Sequence, residues 1–114
     1  MASGTDIWAA EIVLEKKKQN KALRLICAVP HPNFEKRRNE YEKKRYNNII
    51  KNADYIRIIC DKYFKACYQR RNEFMVDHSN MVIAVWNGMA SGTKNTIDYA
   101  ERKNVNIINV LEGY

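Results

Sequence analysis

The 114-residue sequence predicts an α/β fold, a Rossmann-like three-layer sandwich in which a short parallel sheet of about four strands has helices on both faces. Two observations support this class. Apolar segments typical of strands alternate along the whole chain with segments of helical periodicity. The most apolar strand, residues 81–86, is also followed by a glycine-containing loop and then by the start of another helix, as in sheets buried on both faces.

Four helices and four strands are expected. The predicted helices cover residues 7–15, 34–52, 63–77 and 93–103. The predicted strands cover residues 23–29, 53–60, 81–86 and 105–111. Such alternation requires right-handed βαβ crossovers, and in this class ligands bind beyond the carboxyl ends of the strands. Trp8 and Trp86 lie in apolar segments and are predicted to be core residues rather than platforms for base stacking.

The composition predicts one cytoplasmic domain over residues 1–114. A hydrophobic content of 46% is enough for one modest core. Three cysteines, an odd number, are typical of buried thiols in a reducing compartment. Neither they nor the two histidines have the spacing of zinc ligands, so we expect no metal and no cofactor. No apolar run approaches the roughly 20 residues that cross a bilayer, so no membrane partner is expected.

The charge balance favours an anionic partner. Twenty Lys and Arg residues against 13 acidic residues give a net charge of +7, which suits nucleotides, nucleic acid or acidic surfaces. The alternative is a solvated basic surface, because the basic clusters lie on helical stretches with acidic neighbours. Nucleic-acid binding would need aromatic and basic residues interleaved on one exposed face, whereas most tyrosines fall at inward helical positions. We therefore expect a small anionic ligand.

The clearest candidate site is the start of the last predicted helix, at Ser91, Gly92 and Thr93. Helix N-terminal amides have no partner within the helix, the helix dipole favours negative charge, and glycine lets a ligand approach the backbone. A helix cap without a ligand is the simpler alternative. Arg71 next to Asn72 offers a planar donor fork for phosphate or carboxylate, or else it pairs with an acidic neighbour on its own helix.

Taken in order, these residues resemble the small single-domain members of the SLOG superfamily, relatives of the LOG and DprA Rossmann-like proteins. The resemblance covers nearly the whole chain. Its main motifs are Gly4-Thr5-Asp6, Val29-Pro30, Arg45-Tyr46, Ala53-Asp54, Arg71-Asn72, Met75-Val76-Asp77 and Gly92-Thr93 with Thr96. It implies that two glycine-bearing loops bind a nucleotide or a nucleotide-derived signal. The residues expected to contact the ligand are Ser3, Gly4, Thr5, Asp6, Pro30, His31, Arg71, Asn72, Ser91, Gly92, Thr93 and Thr96.

The chain departs from the family pattern in two ways. The usual N-terminal strand-helix-strand unit is missing, which would leave a sheet edge exposed, so we expect a homo-oligomer, a dimer or larger, to cover it. Catalytic LOG-type enzymes carry a glutamate three residues after the Gly-Thr pair, where this chain has Thr96. A threonine cannot supply a carboxylate, so we expect no catalytic residues.

The resulting prediction is non-catalytic binding of a cyclic nucleotide or ADP-ribose type of signal. With no effector expected in so short a chain, sequestration in viral anti-defence is the leading version, and it would operate in the host cytoplasm. The alternatives are a LOG-type nucleoside monophosphate phosphoribohydrolase and a sensor that acts with a separate effector. An enzyme would draw its acid or base from Asp6, Asp61 or Asp98.

Overall fold

The computed structural model describes residues 4–111, apart from the side chain of Arg37, and it divides the chain into two compact units, residues 1–63 and 64–114. Each unit contains two α-helices and two short parallel strands, so the predicted α/β class is confirmed. The elements are α1 (Thr5–Lys17), β1 (Ile26–Val29), a 3-10 helix (Phe34–Arg37), α2 (Glu40–Asn52), β2 (Tyr55–Ile58), α3 (Cys67–Asp77), β3 (Met81–Ala84), α4 (Gly92–Arg102) and β4 (Asn106–Asn109). The single domain over residues 1–114 stays a prediction.

The four expected strands pair two by two, in two small sheets rather than in one four-stranded sheet. β1 pairs in parallel with β2, from Ile26 opposite Tyr55 onward, and β3 pairs with β4, from Met81 opposite Asn106 onward. Each pair is one βαβ unit, since α2 connects β1 to β2 and α4 connects β3 to β4. Each strand therefore pairs with the strand to which a single α-helix connects it.

The core of the first unit lies between α1, α2 and β1. Ile7 and Ala10 of α1 pack with Tyr46 and Ile49 of α2, and Cys27 of β1 completes the cluster. Burial raises the pKa of Tyr46 to about 12, and it also raises the pKa of the Cys27 thiol. Both side chains therefore stay neutral at physiological pH, as an apolar core requires.

Two ion pairs fasten α1 to the rest of the first unit. Arg45 of α2 makes a two-pronged contact with Glu11 of α1, with Nε donating to Oε2 over 3.1 Å and Nη2 donating to Oε1. Lys17, in the last turn of α1, donates to Asp54, which also accepts from the backbone N–H of Leu25 over 2.8 Å. These hydrogen bonds, led by the one from each basic side chain, lower the pKa of both carboxyls.

In the second unit α3 packs against α4, and a hydrogen bond joins the two helices. The Tyr99 hydroxyl donates to Asp77 over 2.8 Å, and this bond raises the pKa of Tyr99. Cys67 and Val76 of α3, like Ile97 and Ala100 of α4, are buried. Each of the two amphipathic helices thus buries one face, although Met75 on α3 is 45% exposed.

The long helix predicted over residues 34–52 is wrong in one respect, because it is divided into the 3-10 helix and α2. Asn39 causes the break. Its backbone is extended, and its side chain accepts from the N–H of Glu42 over 2.8 Å, which makes it the N-cap of α2. The capping hydrogen bond competes with continuation of the preceding helix through Asn39. The charge pattern of the segment does not predict this bond.

Several apolar side chains that were predicted to be inward are exposed. Trp8 is 63% exposed, so its assignment to the core is wrong, and Tyr41 on α2 is exposed as well. In β3 the side chains of Met81 and Ile83 are exposed, whereas Ala84 is buried. The apolar run therefore has one buried face within its sheet, and apolarity alone did not distinguish this from a strand buried on both faces.

Glu11→Gln tests the contribution of the pair with Arg45. Because the folded-state pKa of Glu11 is depressed, its stabilisation is present above the ordinary carboxyl pKa of about 4 and is lost as the pH falls through the lower folded value. At pH 7 we expect Glu11→Gln to lower the urea midpoint, and we expect the difference from the parent to shrink as the pH falls below the ordinary carboxyl pKa.

Glu15→Gln on the same helix is the matched control. Within the described part of the chain, Glu15 forms an ion pair with Lys18 alone, and the two side chains are 71% and 74% exposed. We expect that variant to change stability by no more than about 0.5 kcal/mol. Equal effects of the two variants at pH 7 would contradict the assigned role of Glu11.

Candidate functional site

The start of α4 carries three of the predicted ligand residues, and its backbone geometry suits an anion. Ser91 is the N-cap, and its hydroxyl accepts from the N–H of Lys94 over 3.2 Å while its carbonyl accepts from Asn95. The amides of Gly92 and Thr93 precede the first intrahelical hydrogen bonds, so they have no acceptor within the helix. Both residues are exposed, which makes these two donors accessible from solvent.

Gly92 keeps the approach to these amides open. A Cβ atom built on Gly92 would meet no other atom within 4 Å, so the space beside the helix start is empty of protein. In the loop before it, Gly88 has a φ of +91°, a conformation that side-chain-bearing residues rarely adopt. The two glycines therefore serve different purposes, one giving room beside the backbone and the other allowing the loop to turn.

The Asn109 side chain holds the loop between β3 and α4 in place, and sequence reasoning missed it. Its Oδ1 accepts from the Trp86 N–H over 3.1 Å, and its Nδ2 donates to the Trp86 carbonyl over 3.0 Å. Oδ1 also accepts from the N–H of Leu111 over 3.2 Å. An asparagine at the end of a strand was the available signal, because its side chain can continue a backbone ladder where the strand stops.

Two further hydrogen bonds shape the same loop. The Trp86 indole N–H donates to the Met89 carbonyl over 2.8 Å, and the Met89 N–H donates to Asn87 Oδ1 over 3.1 Å. Side chains of the loop thus form hydrogen bonds with both backbone polar groups of Met89.

Thr96 and Asp98 lie on α4 but are engaged within the helix. The Thr96 hydroxyl donates to the Gly92 carbonyl, four residues earlier, over 3.0 Å. Asp98 accepts from Lys94 over 2.8 Å, and both side chains are about 40% exposed, at 41% and 42%, on the helix surface. Thr96 therefore steadies the first turn of α4, and its contact with a ligand stays a prediction.

Arg71 and Asn72 lie side by side on α3. Arg71 is only 5% exposed, and its Nε donates to Asn72 Oδ1 over 2.7 Å. On the same helix, Glu73 accepts a hydrogen bond from Gln69 and Asp77 accepts one from Tyr99. A buried guanidinium oriented by an amide is typical of a structural or binding residue rather than of a solvated one.

The remaining candidate residues belong to the first unit. Gly4 is the N-cap of α1, with a φ of 74°, and Thr5 and Asp6 form the first turn; Ser3 lies outside the described residues. Pro30 is fully buried, and its carbonyl accepts from the N–H of Cys60 over 3.0 Å. This bond continues the β1–β2 ladder by one residue beyond the strand.

His31 follows at the carboxyl end of β1. Its Nδ1 lies 2.8 Å from the Pro32 carbonyl, and its ring meets Phe34 and Tyr63 edge-on at centroid distances of 5.9 and 5.3 Å. The ring is thus placed by aromatic packing at the strand end. The structure distributes the candidates between the two units, with residues 4–6, 30 and 31 in one and residues 71, 72, 91–93 and 96 in the other.

A cavity of about 400 Å³ lies beside the loop that leads into α4. It is lined by Trp86 and Asn87 of the loop, Ile97 and Glu101 of α4, and Ile107 and Asn109 of β4. None of these residues was predicted to contact a ligand. Within residues 4–111 no group of three or more histidine, cysteine or acidic side chains could hold a metal ion, and no helix is long and apolar enough to cross a membrane.

The chain matches known proteins over most of its length. Residues 1–110 match the sequence profile of the YpsA family, described as the YspA SLOG family. The chain is 34% identical over 113 residues to the uncharacterized SPbeta prophage-derived protein YoqJ of Bacillus subtilis (strain 168), covering 89% of this chain and 66% of that protein. It is 28% identical over 85 residues to a UPF0398 protein of Staphylococcus aureus (strain JH9), covering 73% of this chain and 46% of that protein.

The chain thus spans between about half and two thirds of the length of these relatives. The matched range includes both glycine-bearing helix starts, at Gly4 and at Gly92. It also includes the buried Arg71. With its α/β fold and a family profile matching residues 1–110, the chain belongs to the SLOG family.

Proposed function

We propose that the protein binds a nucleotide-derived anion at the start of α4 and sequesters it without transforming it. The observation that supports this most directly is the helix start itself. The amides of Gly92 and Thr93 have no acceptor within the helix, and a Cβ at Gly92 would meet only open space. Two such donors and the positive end of the helix dipole suit a phosphate group.

Two observations favour sequestration over catalysis. The position where a LOG-type enzyme carries its glutamate is Thr96, whose hydroxyl is bonded to the Gly92 carbonyl. Asp98, the nearest carboxylate on the same helix, is paired with Lys94. The YoqJ relative is a prophage-derived protein, and a prophage origin suits the removal of a defence signal such as a cyclic nucleotide or an ADP-ribose derivative.

We also propose that the protein is a homo-oligomer in the cytoplasm of the cell that contains it. Large apolar side chains on β3 and β4 are exposed, with Met81 and Ile108 both 49% exposed and Ile83 68%. Apolar surface of this kind is commonly buried between subunits. We expect light scattering to give at least twice the chain mass of 13.4 kDa, and a single-chain mass at micromolar concentration would contradict the proposal.

Gly92→Ala tests the anion site without disturbing the fold. Alanine suits a helix start, and its methyl group would meet no protein atom within 4 Å, so we expect an unchanged thermal midpoint. The same methyl group would occupy the approach to the two amides. We expect the affinity for a nucleoside monophosphate or a cyclic dinucleotide, measured by calorimetry, to fall at least tenfold, which is about 1.4 kcal/mol.

Asn95→Ala is the matched control, because Asn95 is exposed on the same helix one turn later and is not proposed to touch the ligand. We expect its affinity to equal that of the parent. Unchanged affinity of Gly92→Ala would place the anion elsewhere. Steeply salt-dependent binding of oligonucleotides, with no response to nucleotides, would replace the proposal with nucleic-acid binding.

The absence of turnover is tested by recovering the ligand. After incubation with nucleoside monophosphates, cyclic dinucleotides or cyclic ADP-ribose, denaturation and mass spectrometry should return each bound compound intact, because Thr96 supplies no carboxylate. We expect Thr96→Ala to alter affinity less than Gly92→Ala does. Release of free base or of a linearised product would refute sequestration, and its loss in Asp6→Asn or Asp98→Asn would identify the responsible carboxylate.

A further inference from the structure

The positive charge of the chain is concentrated in the first unit. Residues 1–63 carry 14 Lys and Arg residues against 8 acidic ones, a net charge of +6, whereas residues 64–114 carry 6 against 5. The start of α4, where the proposed function places a small anion, belongs to the second unit. That site therefore leaves most of the basic charge of the chain without a purpose.

Two large aromatic side chains of the first unit are exposed on its helices. Trp8 on α1 is 63% exposed, and Tyr41 on α2 is 69% exposed. The sequence pattern predicts inward tyrosines, which argues against a nucleic-acid partner, but Tyr41 lies on the outer side of its helix. Exposed Trp and Tyr rings offer flat faces on which nucleic-acid bases can stack.

Two ion pairs show how α1 and α2 are aligned. Glu11, in the middle of α1, contacts Arg45, in the middle of α2. Lys17, at the end of α1, contacts Asp54, which lies just beyond the end of α2. The two helices therefore run side by side in the same direction.

This alignment places the two aromatic rings at about the same level. Trp8 lies three residues before Glu11, which is about one turn of α1. Tyr41 lies four residues before Arg45, again about one turn, and the Arg45 guanidinium lies 5.6 Å from the centroid of its ring. The ion pair that joins the helices thus lies next to both rings and helps to hold the Tyr41 ring in position.

Exposed polar and apolar side chains extend this surface along both helices. We define the α1–α2 face by Trp8, Ile12 and Lys16 of α1 and by Tyr41, Lys44, Asn48 and Lys51 of α2, all of them exposed. Within each helix its members are three or four residues apart, so they follow one side of the helix. Lys16, Lys44 and Lys51 form no ion pair within residues 4–111.

Neighbouring acidic side chains do not neutralise these three lysines. Glu11, Glu15 and Glu40 each form an ion pair with a basic residue outside the α1–α2 face. The lysine ammonium groups are therefore placed to contact phosphates, which they bind as point charges without a fixed geometry. Aromatic rings beside such lysines are the combination by which proteins bind single-stranded nucleic acid.

We propose that the α1–α2 face binds single-stranded nucleic acid, with Trp8 and Tyr41 stacking on bases and Lys16, Lys44 and Lys51 contacting phosphates. A single strand is favoured over a duplex because an aromatic ring stacks only on a base whose face is uncovered. The face lies wholly in the first unit, so the proposal is independent of the anion site at the start of α4.

Charge argues against a second copy of the chain as the occupant of this face. An identical face would bring the same lysines and the same excess of positive charge, and like charges repel. An acidic protein would satisfy the lysines without needing two stacking rings. A polyanion that carries no bases separates that alternative from nucleic acid.

Binding of an oligothymidylate of about 12 nucleotides to the full chain tests the proposal. Three neutralised phosphates give a slope of log affinity against log salt concentration of about −2, at about 0.7 for each phosphate. We expect the matching duplex and polyglutamate of similar length to bind about tenfold or more weakly, because neither offers uncovered bases. Equal affinity of either competitor, or no binding of the single strand at low salt, would overturn the proposal.

Trp8→Ala and Tyr41→Ala each remove one stacking ring. Both positions are exposed, so we expect a nearly unchanged thermal midpoint and an affinity for the oligothymidylate that falls about tenfold or more. Ile12→Ala is the matched control, since Ile12 is 55% exposed on the same side of α1 but has no ring. An equal loss in Ile12→Ala would indicate a general apolar contact and contradict base stacking.

Tryptophan fluorescence gives a readout that a general loss of stability would not imitate. A base stacked on Trp8 should quench its emission. Trp8→Phe keeps a ring that can stack, so we expect it to retain most of the affinity and to lose the quenching. Quenching that persists unchanged in Trp8→Phe would place the oligonucleotide elsewhere.

Lys44→Gln tests the phosphate contacts through the salt dependence. Loss of one contact should reduce the magnitude of the slope by about 0.7. Lys65→Gln is the control, because Lys65 is an exposed lysine of the second unit and its replacement changes the net charge equally. Equal effects of the two variants would show that net charge alone acts, and the assigned contacts would be wrong.

Gly92→Ala separates this face from the proposed anion site. We expect it to leave oligothymidylate binding unchanged, since Gly92 belongs to the second unit. If it abolishes that binding, the strand binds at the start of α4 and the α1–α2 face falls. If nucleotides fail to bind while the oligothymidylate binds in a manner that depends on Trp8, the proposed function falls and the α1–α2 face stands.

Discussion

The hydrogen bonds between the Asn109 amide and the Trp86 backbone are the constraint on which the candidate site depends. Strand β3 ends at Ala84, and α4 begins at Gly92, so the segment between them has no regular structure of its own. By pairing with both the N–H and the carbonyl of Trp86, Asn109 continues the β3–β4 ladder into this segment with a side chain. The loop therefore leaves the sheet from a fixed point, and this fixes the direction in which α4 starts.

A binding site made of backbone amides at a helix start is rigid. Its donors are held by the helix itself, so a ligand does not need to order flexible side chains, and the entropic cost of binding is smaller for that reason. The Ser91 hydroxyl accepts a hydrogen bond from the Lys94 N–H, and the Thr96 hydroxyl donates one to the Gly92 carbonyl. These two bonds stabilise the first turn of α4. This rigidity suits tight retention of a ligand, whereas catalysis would need an acid or base at the same place.

The sequence was informative where the pattern was local and repeated. Hydrophobic periodicity located the four strands and the helices α1, α3 and α4 to within a few residues, and the strand-loop-glycine order located the start of α4. It failed where one side chain outweighed the pattern, as at Asn39, which divides the helix predicted over residues 34–52. It also failed for burial, because Trp8 and Ile83 lie in apolar runs and are nevertheless exposed. Apolar content indicates what can be buried, not which face has something to pack against.

Asn109 and Glu101 show why the rest of the candidate site could not be predicted. Asn109 is remote in sequence from the loop it holds, and its role arises only from the parallel register that places it opposite Ala84, next to Trp86. Glu101, in the last turn of α4, lines the cavity together with residues of the β3–α4 loop and of β4. Neither residue forms a motif with its sequence neighbours, so the local pattern does not distinguish Asn109 within the predicted strand or Glu101 within the predicted helix.

The chemistry of this helix start also determines how binding should respond to pH. Ser91, Gly92 and Thr93 have no titratable side chains, and amide donors keep their protons throughout the physiological range. Any change in phosphate affinity near neutrality must therefore come mainly from the ligand, whose second phosphate ionisation has a pKa of about 6. A phosphomonoester carries its second charge only above that value, whereas a cyclic phosphodiester has no second ionisation. If the proposed site binds a phosphodiester, its affinity should therefore vary little with pH, whereas its affinity for a monoester should fall as the pH falls.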